Sequence, residues 1–247
     1  MVLVAWGLVA CDQSQTKRDL DSIIEAGAPA STPSTSAAAA PRGPQLPKIR
    51  LDATTVTVDG EPTEARGPDF PARFFMLVSG NPLVAGGTVD VDVDRMTRPS
   101  QANVILAALK NAHAKGVNVH TGTRDKAIGV LSLVFPKPPV SDCSVVGFIG
   151  KDASISVWSI GGGTARRFTK GFAGPDMTLG TDAVRKAASA CDSPVWFVAA
   201  DDAMTWGLVF DLATMARAGD EGGAPLKPTN VGVLTDAPVP GRKVTIS

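Results

Sequence analysis

Asp201 and Asp202 are the nearest this sequence comes to a catalytic pair. Two adjacent carboxylates repel when both are ionised, which raises one pKa toward the range useful for acid–base work. The same residues also suit the start of a helix near Thr205, where a carboxylate satisfies free backbone N–H groups. A second acidic cluster, Asp90, Asp92 and Asp94, alternates with Val89, Val91 and Val93. A calcium loop of the EF-hand kind needs a glycine and a later glutamate at fixed positions, and both are missing. The alternation fits a half-buried strand with one acidic face. Gly161-Gly162-Gly163-Thr164 is not followed by Gly-Lys-Ser/Thr, so it reads as a turn rather than a phosphate loop. Arg166 and Arg167 beside it are expected on a solvated face. His113 and His120 are the two histidines of the chain. No Cys/His spacing suits zinc, and there is no Gly-x-Ser-x-Gly elbow. The residue types therefore assign no catalytic residue, no metal ligand and no cofactor, and the chain is expected not to be an enzyme.

The cysteines carry the remaining chemistry. They fall at Cys11, Cys143 and Cys191. Residues 1–10 are apolar and end in small side chains, and the text turns polar at Asp12. Leu8-Val9-Ala10-Cys11 resembles the lipobox of bacterial lipoproteins, although no basic residue precedes it. In that family a peptidase cleaves before the cysteine, and its thiol takes up diacylglycerol. The resemblance implies lipidation at Cys11, a lipoprotein signal segment over 1–11, and a membrane anchor. It implies a cell-envelope protein facing the periplasm. Asp12 resembles an inner-membrane retention signal of enterobacterial lipoproteins, and the sequence leaves inner and outer membrane open. With Cys11 modified, Cys143 and Cys191 are the pair that an oxidising compartment can join. Two buried free thiols are the alternative.

The elements around these residues follow from composition and periodicity. Apolar residues make up 44% of 247 and charged residues 19%, enough to bury a core. The formal net charge is zero, which argues against nucleic acid as a partner. Residues 26–47 are rich in Pro, Ala and Ser and poor in large apolar side chains. Such a segment cannot bury enough surface to offset chain entropy, and 12–47 is expected to be a disordered linker.

After Pro47 the text runs through a similar plan twice, over 48–124 and 144–236. Each copy is expected to open with a β-hairpin: residues 48–53 and 56–58 in the first, 145–149 and 154–158 in the second. Asp59-Gly60 and Gly161–Gly163 supply turns. Each copy then reads strand, helix, strand. In the first, residues 89–93 lead to a helix over 100–115, capped by Gly116, and to a strand at 117–119. In the second, 195–198 leads to a helix over 205–217, stopped by Gly219, and to a strand at 230–234. A further helix over 181–190 precedes Val195. Residues 70–78 are its degraded counterpart, weakened by Pro71. The fold class is α+β, with two small repeated modules, each a small sheet packed by helices.

The run Val195-Trp-Phe-Val-Ala-Ala-Asp-Asp-Ala-Met-Thr-Trp-Gly207, its helix, and Asn230-Val-Gly-Val-Leu-Thr-Asp236 resemble the periplasmic domain of the ExbD/TolR biopolymer-transport family. Val56-Thr-Val-Asp-Gly-Glu-Pro62 is similar to that family's early hairpin. The likeness covers 144–236 best and 48–124 more loosely. Members of the family begin with a transmembrane helix bearing an aspartate used in proton flow. Here a lipobox-like segment stands in its place, so no proton-motive role carries over. The resemblance implies a non-catalytic module that binds envelope proteins or peptidoglycan, linked to biopolymer transport and compatible with a homodimer. A secreted cell-wall enzyme built on Asp201 and Asp202 is the alternative, and a small-ligand carrier is the third reading.

Overall fold

The computed structural model describes residues 45–137, 139–171, 174–218 and 230–246. Cys11, most of the linker and Gly219 lie outside the described residues.

The first run of chain begins with three antiparallel strands, β1 (Ile49–Leu51), β2 (Thr55–Val58) and β3 (Glu61–Glu64). Sequence chemistry sets both turns. The Asp52 carboxylate accepts from the Thr54 and Thr55 N–H groups at 2.9 and 2.8 Å. Asp59 and Gly60 both take positive φ, 54° and 91°, as a two-residue hairpin turn requires. Helix α1 (Phe70–Ser79) follows, then β4 (Thr88–Val93), α2 (Pro99–Asn111), β5 (Gly116–Gly122) and β6 (Ile128–Val134). Strand β4 runs parallel to β1 and to β5, and β6 returns antiparallel to β5.

The second run holds β7 (Val145–Ile149), β8 (Ile155–Ser159), β9 (Arg166–Phe168), α3 (Met177–Ser189), β10 (Val195–Ala200), α4 (Trp206–Ala218) and β11 (Asn230–Val233). Its first three strands are antiparallel, and β10 is parallel to both β7 and β11. Two separate small sheets are expected from the sequence. The described strands instead form one mixed sheet of eleven, in the order β3-β2-β1-β4-β5-β6-β11-β10-β7-β8-β9. The fold is mixed α/β. The join is narrow: β11 meets β6 in parallel register at Val231 and Leu133. Pairing there satisfies backbone groups that two separate sheets would leave along open edges.

One apolar core runs along the helix side of both runs, with Leu51, Phe74, Ile105, Trp196, Trp206 and Leu212 all fully buried. The opposite side differs between the runs. Strand β4 alternates exposed and buried residues, as Asp and Val alternate in its sequence. Strand β10 is buried at every position, as its continuous apolar text demands. The far face of the second run carries a second core of Val146, Phe148, Trp158, Ile160 and Phe197. The C-terminal segment seals it through Leu234, Val244 and Ile246. Val244 N–H donates to Ile160 O at 2.8 Å, and Trp158 Nε1 donates to Arg242 O at 3.1 Å.

Several helix ends differ from expectation. Helix α2 stops at Asn111, and Ala112 rather than Gly116 caps it. His113 takes the left-handed turn at φ 62°, and Gly116 opens β5, where a Cβ would lie 2.7 Å from Leu133 O. Helix α1 is a regular helix because Pro71 falls in its first turn, where no N–H is needed. Helix α3 begins at Met177, earlier than expected, with the Asp176 side chain capping the Leu179 N–H at 3.1 Å. Its Gly180 lies flat on Ile155, and an added Cβ would overlap the Ile155 Cδ1 methyl. Gly180→Ala is expected to lower stability by about 1–3 kcal/mol, partly restored by Ile155→Val. Urea melts of the single and double variants check this, and equal stabilities would remove the packing account.

Candidate functional site

The side of β1, β4 and β5 that faces away from the helices is polar and open. Strand alternation places Lys48, Arg50, Asp90, Asp92, Asn118, His120 and Ser132 on it. Register then decides the neighbours. Arg50 stands between Thr57 and Asp92, and Asp92 stands opposite His120. Asp90 stands opposite Asn118, and Asn118 opposite Ser132. Lys48, Arg50, Asp90, Asp92 and His120, with Leu46 and Pro47 at one side, line a hollow of 340 Å³.

Two kinds of polar group meet there. One set is already satisfied: His120 Nε2 lies 3.0 Å from Asp90 Oδ1, Asn118 Nδ2 donates to the same oxygen at 3.2 Å, and Ser132 Oγ donates to Asn118 Oδ1 at 2.9 Å. The hydrogen bond to His120 is the main reason that the Asp90 carboxyl sits below its ordinary range; burial opposes it and Asn118 adds to it. The other set is Lys48, Arg50 and Asp92. Among the described residues these three side chains form no salt bridge and no hydrogen bond, although Arg50 and Asp92 occupy paired positions. A cation and an anion held side by side and unpaired can each take a ligand group of opposite charge. Among the described residues no three His, Cys, Asp or Glu side chains converge as a metal site.

The other residues singled out by type have structural partners. Asp201 Oδ1 accepts from the Ala203 N–H at 3.0 Å and closes the turn after β10. Asp202 Oδ1 accepts from the Ser100 N–H at 3.1 Å, with Arg98 at 3.8 Å. Asp202 therefore caps α2 of the first run, and not the helix that follows it in sequence. The two carboxylates are drawn to different backbone donors. Gly162 and Gly163 turn at φ 93° and 119°. Arg166 and Arg167 belong to edge strand β9, and Arg167 pairs with Asp152 and Ser154 rather than standing free in solvent. Asp152 is pushed down to about 2, mainly by the Ser154 hydroxyl and N–H, with Arg167 adding to the shift. Cys143 and Cys191 are joined as a disulfide, with Cα atoms 5.6 Å apart.

Sequence reasoning missed one polar centre. Arg95, just after β4, donates to both carboxylate oxygens of Asp211 on α4, at 2.9 and 2.7 Å, and to Gly122 O at 2.9 Å. Arg124 Nε donates to Asp211 at 3.1 Å. A signal was present: Asp211 is a lone acid amid Leu208, Val209, Leu212 and Met215. An acid on an apolar helix face needs a buried partner.

No protein-family model, curated protein or solved structure matches the chain.

Proposed function

We propose that the chain is a non-catalytic cell-envelope lipoprotein built from two ExbD/TolR-like modules, whose first module docks envelope proteins or peptidoglycan on its open polar face. The lipobox-like text at Cys11 and the linker after it support an anchored, periplasm-facing protein. Matching detail between the runs supports the repeat. Strand order is β3-β2-β1-β4-β5 in one and β9-β8-β7-β10-β11 in the other. At corresponding places, Asp94 N–H donates to Leu51 O at 2.9 Å and Asp201 N–H donates to Ile149 O at 2.8 Å. Each of these aspartates then turns the chain by accepting from the N–H two residues on.

The observation that carries the docking role is a charged face that no described segment covers. The corresponding face of the second run is apolar and already covered by the C-terminal segment. The first run keeps Lys48, Arg50 and Asp92 open to solvent, beside the Asp90–His120 pair. Peptidoglycan stem peptides and protein surfaces both offer carboxylates and ammonium groups that such a face can meet.

The test is co-sedimentation with purified peptidoglycan, together with crosslinking in native membranes. The double variant Arg50→Gln, Asp92→Asn is expected to lose capture about tenfold or more. It should change stability by no more than about 0.5 kcal/mol, because both side chains lie on the surface. Undiminished capture by a folded double variant would sink the docking role of this face. Absence of an acyl group on Cys11 in mass spectra of exported protein would sink the anchor.

A further inference from the structure

We infer that helix α1 and the loop after it form a second surface, one that rests on the lipid bilayer carrying anionic headgroups. The inference builds on the proposed anchor at Cys11 and adds an orientation to it. Helix α1 buries Phe70, Phe74 and Val78 against the core. Its outer side is apolar as well: Met76 is 70% exposed and Leu77 49%, and Leu83 in the following loop is 39% exposed. A short helix that is apolar on both sides has solvent where its composition asks for a second apolar partner.

Charge and chain path select the partner. Arg73 is the one charged residue between Phe70 and Ser79, and it shares the outer side with Met76 and Leu77 at helical spacing. His113 O accepts from the Gly86 N–H, and the Lys115 N–H donates to Gly87 O, so Lys115, which is exposed, borders the loop. Exposed Met76, Leu77 and Leu83, with Arg73 among them and Lys115 at the border of the loop, suit a surface of acyl chains under anionic headgroups. The described chain begins at this same place. Asn81 Nδ2, in the loop after α1, donates to Gln45 O at 2.8 Å, and Leu46 packs near Gly87. Residues 12–44 connect this point to Cys11. Even at full extension thirty-three residues reach no further than about 110 Å, so acylation at Cys11 would hold the point where residue 45 begins, and the α1 patch beside it, near the membrane. Docking α1 there leaves the polar sheet face, on the opposite side from the helices, free for its partner.

Hydrogen exchange on the full chain tests this, with and without vesicles of phosphatidylethanolamine and phosphatidylglycerol at saturating lipid. Amides over 72–86 are expected to exchange about tenfold more slowly on vesicles, while those of α3 stay unchanged. The variant Met76→Gln, Leu77→Gln, Leu83→Gln alters only exposed side chains and is expected to abolish that protection. Unchanged exchange over 72–86 overturns the inference. So does protection that the triple variant retains, or protection that appears without lipid as protein concentration rises, which would mark a second copy on the patch. The mass of Cys11 is read on the same sample. An unmodified Cys11 with 72–86 still protected fails the anchor and keeps the surface.

Discussion

Asp211→Ala is expected to destabilise the protein by about 3 kcal/mol, because it strands a guanidinium that cannot withdraw. The Asp211 side chain is 10% exposed and that of Arg95 24%. Arg95 lies against Gly207 so closely that a Cβ there would sit 2.9 Å from its Nε. Without the carboxylate, Arg95 keeps only the Gly122 carbonyl. Its two-pronged bond to Asp211 is also what raises the Arg95 pKa above the ordinary arginine value. Arg124 is mostly exposed and contributes little. The apolar double variant Arg95→Met, Asp211→Leu should recover most of the loss, since an ion pair removed whole costs far less than one broken in half. Denaturant melts of the wild type and the single and double variants give the comparison. A loss below about 1 kcal/mol for Asp211→Ala would show that water reaches Arg95 freely. Because Arg95 leaves β4 and Asp211 sits on α4, the loss is expected to loosen the contact between the two runs as well. The neighbouring hydrogen bond from Trp206 Nε1 to Thr121 Oγ1, 3.0 Å, reports on that contact through tryptophan emission.

Opening the Cys143–Cys191 bridge is expected to cost about 4 kcal/mol in the chain-entropy account of a loop of this length. The sequence separation is 48, and the bridge ties the segment before β7 to the residues just after α3. Between its ends lie the whole antiparallel part of the second run and α3. A buried hydrogen bond between Ser144 and Ser193, 2.5 Å, lies beside the bridge and holds the same two segments. The variant Cys143→Ser, Cys191→Ser should therefore still fold, with a lower guanidinium midpoint and a somewhat steeper slope, because the unfolded chain without the crosslink exposes more surface. Reducing agent should lower the midpoint of the wild type and leave that of the variant alone. Equal midpoints for oxidised and reduced wild type would overturn the chain-entropy account of this bridge.

Periodicity located most elements and misjudged their ends. The Val/Asp alternation of 89–94 and the apolar run of 195–198 match the burial of the strands found over Thr88–Val93 and Val195–Ala200, because burial on one face or on two is written directly into residue type. Strand β6 left no such trace. Its solvent side carries Ile128 at 72% and Val130 at 49% exposure, so apolar and polar positions do not separate, and Gly129 interrupts the run. Gly129 is nevertheless specified by packing, since a Cβ there would meet the Phe210 ring at 2.9 Å. Edge strands β3 and β9 are short and charged, a composition shared with loops, and only their partners distinguish them.

The candidate site divides in the same way. Residue type marked Asp90, Asp92, His120, Asp201 and Asp202, but pairing partners lie far apart in sequence. Asp90 meets His120 thirty positions on, and Asp202 meets Ser100 more than a hundred positions back. Such contacts depend on strand register and helix placement, which no local pattern encodes.

By itself the sequence determined the helices and the more strongly patterned strands, the acidic face of β4, the turn at Asp59-Gly60, and the supply of two cysteines able to pair. These follow from side-chain polarity and backbone preference over a few residues. Only the tertiary structure decided that both runs share one sheet, that the C-terminal segment covers one far face while no described segment covers the other, and that Arg95 and Asp211 meet. Each of those outcomes depends on which distant surfaces exclude water from one another, and that is a property of the assembled chain.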